Sequence, residues 1–157
     1  MKISLVTVGK TDVKWVREGL DLYVGRLSHY VPFALEEIPE LKGVSSLTRD
    51  QIKEREGELI LKRIKETDDV ILLDERGKEL RSVELAAMLE DKLARSGRDL
   101  VFVVGGAYGF SQKVYDRSDG RLSLSRMTFS HQMVRTIFAE QLYRAFTIIR
   151  GEPYHHE

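Results

Sequence analysis

A continuous apolar run that ends in glycines stands out in this sequence at VFVVGGAYGF, residues 101 to 110. Such a run, without polar alternation, is typical of a parallel strand with both faces buried. Gly105, Gly106 and Gly109 follow within five residues. Because glycine has no Cβ and tolerates positive φ, a ligand can approach the backbone closely there. We therefore expect a binding site at this loop and at the segment LSLSRMTFSHQMVR, residues 122 to 135.

Strand-like and helix-like segments alternate along the rest of the chain. Short β-rich or alternating runs predict strands at residues 2–8, 33–38, 70–74, 100–104 and 121–127. Helical apolar spacing and cap residues predict helices over 13–27, 48–66, 82–97, 111–118 and 131–150. The predicted N-caps are Asp12, Thr48 with Gln51 in a capping box, Ser82 and Ser111.

The order β-α-β-α-β-α-β-α-β-α predicts a single α/β domain over residues 1 to 157, with a mainly parallel sheet and helices on both faces. FALEEI at 33–38 alternates apolar with polar residues, which indicates an edge strand. The carboxyl ends of parallel strands meet at one edge of a sheet. We therefore expect the loops after Asp74, Val104 and Arg126 to converge on one crevice.

The last predicted helix is unusually apolar. Eleven of the twenty residues from 131 to 150 are apolar or aromatic, and they spread around more than one face. A helix that is apolar beyond one stripe is buried on two sides. This pattern favours a homodimer in which a second subunit contacts the helix.

Charge and composition limit the classes of partner. The 25 basic and 25 acidic residues balance, so no general electrostatic attraction to nucleic acid is built in. Residues 121 to 157 carry 5 Lys/Arg against 3 Asp/Glu, which is only a weak local bias. The absence of cysteine excludes disulfides, thiolate catalysis and Cys-ligated zinc, and it fits a cytoplasmic protein. No apolar run approaches the roughly 20 residues of a membrane span, so no membrane partner is expected.

Common nucleotide and metal motifs are missing. GGAYG lacks the G-x-G-x-x-G spacing, which disfavours a Rossmann dehydrogenase, and no G-x-x-x-x-G-K-[ST] loop indicates a kinase or NTPase. No H-E-x-x-H or carboxylate-histidine cluster has metal-ligand spacing, so no metal site is predicted. The loop fits a nucleoside-like ligand, with apolar contacts from Leu73, Leu124, Met127 and Phe129. For the last three positions, the residues alone favour simple core packing over ligand contact.

Several short motifs in fixed order resemble one family. VTVGK near the start, LLDERGK at 72–78, VFVVGGAYGF, LSLSRMTFSHQMVR, EQLYRAF at 140–146 and the terminal GEPYHHE are together similar to the RlmH family, the ribosomal RNA large subunit methyltransferase H group of the SPOUT superfamily. The resemblance implies a C-terminal trefoil knot around residues 103–130. It also implies a homodimeric enzyme that methylates N3 of a pseudouridine in large-subunit (23S) ribosomal RNA on the assembled ribosome.

The resemblance further implies a set of cofactor contacts. The cofactor S-adenosylmethionine would bind at Leu73, Gly105, Leu124, Ser125, Arg126, Met127, Thr128 and Phe129. Two positions depart from the family pattern. Ser130 stands where the family often has proline, which would soften the loop because the fixed φ is lost. His156 stands where the family usually has Arg or Lys, and histidine is only partly charged near neutrality.

Candidate catalytic residues lie in the last helix and the tail. N3 of pseudouridine is an imide nitrogen, so donors on its two flanking carbonyls would stabilise the anion that forms there. The candidates to position or polarise the base are Arg144, Tyr154 and His155, with Glu140 orienting Arg144. Glu140 and Arg144 equally fit an ordinary i,i+4 helix pair. Pro153 makes the tail non-helical, so we expect its side chains to reach a nearby active site, such as that of the partner subunit.

Two other functions stay open at this point. A non-catalytic ribosome- or nucleotide-binding module would use the same pocket and the same dimer. Methyl transfer to another RNA or to a small molecule would need the same cofactor site. The sequence of a neutral protein does not distinguish these substrates.

Overall fold

The computed structural model describes residues 1–156. Five strands and five α-helices alternate, as predicted, with a short 3-10 turn at Val44–Ser46. The elements are β1 (Ile3–Val8), α1 (Lys14–Leu27), β2 (Phe33–Ile38), α2 (Arg49–Leu61), β3 (Asp69–Glu79), α3 (Ser82–Arg95), β4 (Leu100–Val104), α4 (Gln112–Arg117), β5 (Gly120–Ser123) and α5 (Met133–Ile149). The predicted α/β class is confirmed.

All strand pairs are parallel, and the strand order is β2-β1-β4-β3-β5. The position of β2 at one edge confirms the prediction from its alternating sequence. The central strand β4 pairs with both β1 and β3, for example through Phe102 with Leu5 and Ile71. The trefoil knot concerns how the chain is threaded rather than the strand order, so it stays a prediction.

Alternate residues of the inner strands enter two separate cores. In β4, Leu100, Phe102 and Val104 belong to one apolar cluster, whereas Val101 and Val103 belong to the other. The first cluster lies under α1, α3 and α5, and the second lies under α2 and α4. Both faces of β4 are therefore buried, which explains why its sequence is apolar at every position.

Helix α5 lies between α1 and α3 on the first face of the sheet. Its buried residues include Phe138, whose ring centroid is 4.6 Å from that of Phe102, and Phe146, which stacks on Tyr30 at 5.8 Å. The sheet and two neighbouring helices thus account for the apolar character of α5 within one chain. The apolar sequence of α5 alone therefore does not require a second subunit.

Two of the predicted caps are confirmed and two are wrong. Thr48 and Gln51 form the capping box, and the Ser111 hydroxyl caps α4. Asp12 does not cap α1, because the helix begins one residue later and the backbone N–H of Asp12 donates to Gln132 Oε1 at 3.2 Å. Ser82 is the first helical residue of α3 rather than its cap, and its hydroxyl donates to Gln141 Oε1 at 2.8 Å.

The strands around the glycine loop differ most from prediction. β3 extends to Glu79, because its pairing with β5 resumes at Lys78 after an irregularity that follows Leu73. Gly77 permits this: a Cβ there would lie 2.8 Å from the backbone of Leu122. β5 ends at Ser123, so most of the predicted 121–127 strand is a loop. Helix α2 is also shorter than predicted and ends at Leu61.

Gly57→Ala and Gly25→Ala form a matched pair of helix substitutions. A Cβ at Gly57 of α2 would lie 2.4 Å from the Ser111 hydroxyl that caps α4, whereas nothing lies within 4 Å of a Cβ at Gly25 of α1. We expect Gly25→Ala to raise the free energy of unfolding by about 0.5–1 kcal/mol. Gly57→Ala should lower it by about 1 kcal/mol or more. Urea unfolding measures both, and equal changes would contradict the close contact between α2 and α4.

Candidate functional site

The loops after β4 and β5 converge with residues 73–76 on one cavity of about 460 Å³. The cavity is where the sequence predicted a crevice, except that residues 73–76 belong to the extended β3 rather than to a loop after it. Its walls are apolar side chains, polar side chains and backbone of the glycine loop. The lining residues are Leu73, Asp74, Glu75, Arg76, Val104, Gly105, Gly106, Ala107, Tyr108, Gly109, Phe110, Tyr115, Leu122, Leu124, Ser125, Met127, Thr128, Phe129, Ser130, His131 and Val134. The volume and the mixed lining are typical of a small-molecule site.

The glycine loop folds back on itself. Gly109 has a φ of +86°, and its N–H donates to the Gly106 carbonyl at 3.2 Å. Gly105 and Gly106 do not adopt positive φ. Glycine fits these two positions because a side chain would come too close to neighbouring residues. A Cβ at Gly105 would lie 3.1 Å from the Phe110 ring, and one at Gly106 would lie 2.6 Å from the Glu56 carboxylate.

The segment after β5 forms the opposite wall of the cavity. The Ser125 hydroxyl accepts from the backbone N–H of Met127 at 3.0 Å, and the Thr128 hydroxyl donates to Glu75 at 2.6 Å. Met127 is 77% exposed, which excludes core packing as the reason for an apolar residue at this position. Leu124 is half-buried and packs on the core.

Seven of the eight predicted cofactor residues line the cavity, and Arg126 does not. The guanidinium of Arg126 is exposed and lies 3.4 Å from the Glu79 carboxylate. A cofactor contact by Arg126 stays a prediction.

A carboxylate that sequence reasoning missed as a ligand group also lines the cavity. Asp74 accepts hydrogen bonds from the Tyr115 hydroxyl at 2.6 Å and from the backbone N–H of Arg76 at 3.0 Å. Partial burial alone would raise the pKa of Asp74, but these two hydrogen bonds outweigh it and hold the pKa below its ordinary value. Asp74 is therefore a charged group near neutral pH. Its place at the end of a buried strand was the available signal.

The four predicted catalytic residues lie together on α5 and the tail. Glu140 Oε1 accepts from the Arg144 guanidinium at 2.6 Å and from the Tyr154 hydroxyl at 3.0 Å. Arg144 Nη1 lies 3.1 Å from His155 Nδ1. Because arginine only donates, Nδ1 must accept, which places the proton of a neutral His155 on Nε2. Glu140, Arg144, Tyr154 and His155 thus form a connected network, which we call the catalytic cluster after its predicted role.

Burial raises the pKa of the Tyr154 phenol, and hydrogen bonds with Tyr23 and Glu140 raise it further. Its ring packs edge-on against Tyr143 at 4.8 Å and lies 4.8 Å from the Arg144 guanidinium carbon. Tyr154 therefore stays protonated near neutral pH and is held from several sides.

None of the catalytic cluster lines the cavity of its own chain. The tail folds back on its own helix: the Glu152 N–H donates to the Thr147 carbonyl at 2.9 Å, and the Glu152 carboxylate accepts from Tyr30 at 2.7 Å. Seven of the predicted cofactor residues thus lie together at the cavity, and the predicted catalytic residues lie together on α5 and the tail. The two groups are not adjacent within one chain.

A family model described as a predicted SPOUT methyltransferase matches residues 1–155. The chain belongs to this family. The chain is 53% identical to the ribosomal RNA large subunit methyltransferase H of Parabacteroides distasonis, and 54% identical to that of Bacteroides fragilis. The protein of the same name from Flavobacterium johnsoniae is 53% identical. Each alignment covers 157 residues and 100% of both chains.

Membership of the SPOUT family implies a methyl donor as cofactor. Within residues 1–156, no group of three or more His, Cys, Asp or Glu residues could hold a metal ion. No helix of this part of the chain is long and apolar enough to cross a membrane.

A buried arginine joins the two ends of this SPOUT chain beside the cavity. The guanidinium of Arg135 on α5 is fully buried and donates to the carbonyls of Val8 and Gly9, both at 2.9 Å, and to the Thr11 hydroxyl at 2.7 Å. Burial lowers the pKa of Arg135 from its ordinary value. Nothing in the spacing of the sequence indicated this role, because the acceptors lie more than 120 residues away.

Arg135→Met should strongly destabilise the protein. The substitution keeps an unbranched side chain but leaves buried backbone carbonyls after β1 without donors, so we expect the free energy of unfolding to fall by about 3 kcal/mol or more. Urea unfolding measures the loss. Arg95→Gln is the control, since Arg95 is exposed and pairs with Asp91 on the surface of α3. It should change stability by no more than about 0.5 kcal/mol.

Proposed function

We propose that this SPOUT methyltransferase transfers a methyl group from S-adenosylmethionine to N3 of a pseudouridine in large-subunit (23S) ribosomal RNA, on the assembled ribosome in the cytoplasm. The observation that carries the proposal is the full-length match, at 53% identity, to a protein named ribosomal RNA large subunit methyltransferase H. The catalytic cluster supports it, because its groups suit an imide base. Residues 1 to 157 act as one domain.

The cavity suits S-adenosylmethionine in charge and in the chemistry of its lining. The cofactor carries a positive sulfonium, and the cavity holds the two carboxylates of Asp74 and Glu75 against the one guanidinium of Arg76. Apolar side chains such as Leu124 and Phe129 offer surfaces for an adenine ring, and the backbone of the glycine loop offers hydrogen-bonding groups. The predicted contacts at Leu73, Gly105 and residues 124–129 would thus surround the cofactor.

When bound, S-adenosylmethionine supplies a methyl group that its sulfonium has already activated. The protein must therefore hold the acceptor nitrogen in line and favour loss of its proton. N3 lies between two carbonyls, so its anion spreads charge onto both oxygens. Donors at those oxygens stabilise the anion as it forms.

The catalytic cluster supplies such donors. Arg144 is a cation, and the raised pKa of Tyr154 keeps its phenol protonated. His155 carries its proton on Nε2 because Nδ1 accepts from Arg144. Glu140 fixes both Arg144 and Tyr154, so its role is positioning. We assign binding and polarisation of the base to Arg144, Tyr154 and His155.

A homodimer would bring the catalytic cluster of one subunit to the cavity of the other. Within one chain the two are separate, so the site is incomplete without a second copy. Helices α1 and α5 also expose large apolar side chains, with Trp15 61%, Leu22 50% and Met133 40% exposed. Exposed apolar residues on adjoining helices are suited to a subunit interface.

The proposed function is tested with purified protein, S-adenosylmethionine labelled in its methyl group, and ribosomes that lack the modification. We expect label in the large-subunit RNA and none in free nucleosides, with mass spectrometry placing it on a pseudouridine. Calorimetry with S-adenosylmethionine alone should show binding. Binding of ribosomes without cofactor heat would instead indicate a non-catalytic module, and label in another RNA would indicate another substrate.

Deletion of residues 153–157 should abolish methylation of ribosomes. The deletion removes Tyr154 and His155 but leaves the cavity and the helices intact, so cofactor affinity and sedimentation should match the full chain. Labelled methyl transfer, calorimetry and ultracentrifugation measure the three properties. Transfer at the full rate would contradict any catalytic role of the tail.

Leu22→Asp should convert the dimer into monomers, because it places a charge in the proposed interface. Analytical ultracentrifugation at micromolar concentration measures the change. Leu93→Asp is the control: Leu93 lies on α3 and is 38% exposed, and the substitution should leave the dimer intact. A monomeric unsubstituted protein would contradict the dimer directly.

A further inference from the structure

Next to the catalytic cluster, two arginines lie over tyrosine rings at the ends of α1 and α5. The Arg26 guanidinium carbon is 5.5 Å from the centroid of Tyr23 and 5.4 Å from that of Tyr143. The Arg150 guanidinium carbon is 4.7 Å from the centroid of Tyr30. The rings of Tyr30 and Tyr143 meet edge-to-face at 5.9 Å. We call these five residues the arginine–tyrosine surface.

This surface is continuous with the catalytic cluster. Tyr143 contacts Tyr154 at 4.8 Å, and Tyr23 also shares a hydrogen bond with the Tyr154 phenol. A molecule that contacts Arg26 or Tyr143 therefore lies beside the residues that we assign to the target base.

The two arginines are not neutralised. Arg26 and Arg150 are exposed, and within residues 1–156 neither has a carboxylate oxygen within 4.0 Å. By contrast, Arg144 is paired with Glu140, and Arg17 with Glu37. The Glu152 carboxylate accepts from the Tyr30 hydroxyl at 2.7 Å and so adjoins this surface, but it lies more than 4.0 Å from the nitrogens of both guanidinium groups. In a chain of zero net charge, the two unpaired cations outnumber this one carboxylate and form a local positive site.

We propose that the arginine–tyrosine surface binds phosphates of ribosomal RNA next to the methylated nucleotide. The proposal rests on the proposed function and adds the surface by which a neutral enzyme holds its RNA. A guanidinium that lies over a tyrosine ring keeps its N–H groups at the edge of its plane, where they can bind a phosphate in bidentate fashion. The tyrosine also fixes the guanidinium, so less conformational entropy is lost on binding.

A second copy of the chain is a poorer occupant for this surface. Leu22 lies one helical turn from Arg26 on α1, so the proposed subunit interface borders this surface. Burying the unpaired guanidinium groups themselves between identical subunits would cost desolvation energy without a counter-charge. Phosphates supply that counter-charge. Contacts of this kind position an RNA without reading its sequence.

The double variant Arg26→Gln/Arg150→Gln tests the surface. We expect KM for ribosomes to rise about tenfold or more, because two charge-assisted contacts are lost. The slope of log affinity against log KCl concentration, at fixed Mg²⁺, should fall in magnitude by about 2. Cofactor affinity by calorimetry and the sedimentation coefficient should match the unsubstituted protein.

Arg55→Gln/Arg63→Gln is the charge-matched control. Both residues are exposed, lie in or just after α2 on the opposite face of the sheet, and have no carboxylate partner within residues 1–156. This variant should keep the original KM and salt slope. Equal effects of the two double variants would overturn the proposal, since only total charge would then matter.

Direct binding separates this proposal from the proposed function. Cosedimentation with ribosomes measures affinity and its salt dependence without catalysis. If ribosomes are bound but not methylated, the proposed function fails, and the salt slope of the double variant still decides the role of the surface. An unchanged slope of log affinity against log KCl concentration would overturn the proposed role of the surface. A loss of affinity explained entirely by dissociation of the dimer would also overturn it.

Discussion

The burial of β4 on both faces is the constraint on which the rest of the structure depends. One set of its side chains lies under α1, α3 and α5, and the other lies under α2 and α4. Burying a polar side chain is costly unless it is hydrogen-bonded, and β4 carries none, so polar groups first become available where it ends. The glycine loop, the cavity and the carboxylate of Asp74 all lie at that edge of the sheet.

The sequence predicted those features that depend on local pattern. The period of apolar residues gave the alternation of strands and helices, and the capping box at Thr48 was confirmed. Features that depend on distant partners were missed. Aspartate is a common N-cap residue, yet Asp12 does not cap α1, and its backbone N–H donates to the Gln132 side chain instead. The extension of β3 depends on the close approach of Gly77 to Leu122, which no pattern within β3 reveals.

The candidate site shows the same division. The cavity could be placed from the ends of three strands, because parallel strands end together. The choice of individual residues came from a family resemblance, and the four residues of the catalytic cluster lie in contact with one another. What remained hidden was the separation of that cluster from the cavity, since residue spacing does not show on which surface a folded tail comes to rest.

The bonds of Arg135 have a consequence for when this protein becomes functional. They link residues that are 126 and 127 positions apart along the chain. Strand β1 also cannot pair with its second neighbour until β4 has been synthesised. During synthesis the carbonyls after β1 therefore stay without their final donors until α5 has left the ribosomal exit tunnel. Contacts of such long range form late, because loop closure must come first. The site beside Arg135 is thus completed only after almost the entire chain has been translated, so its formation follows the end of synthesis rather than accompanying it.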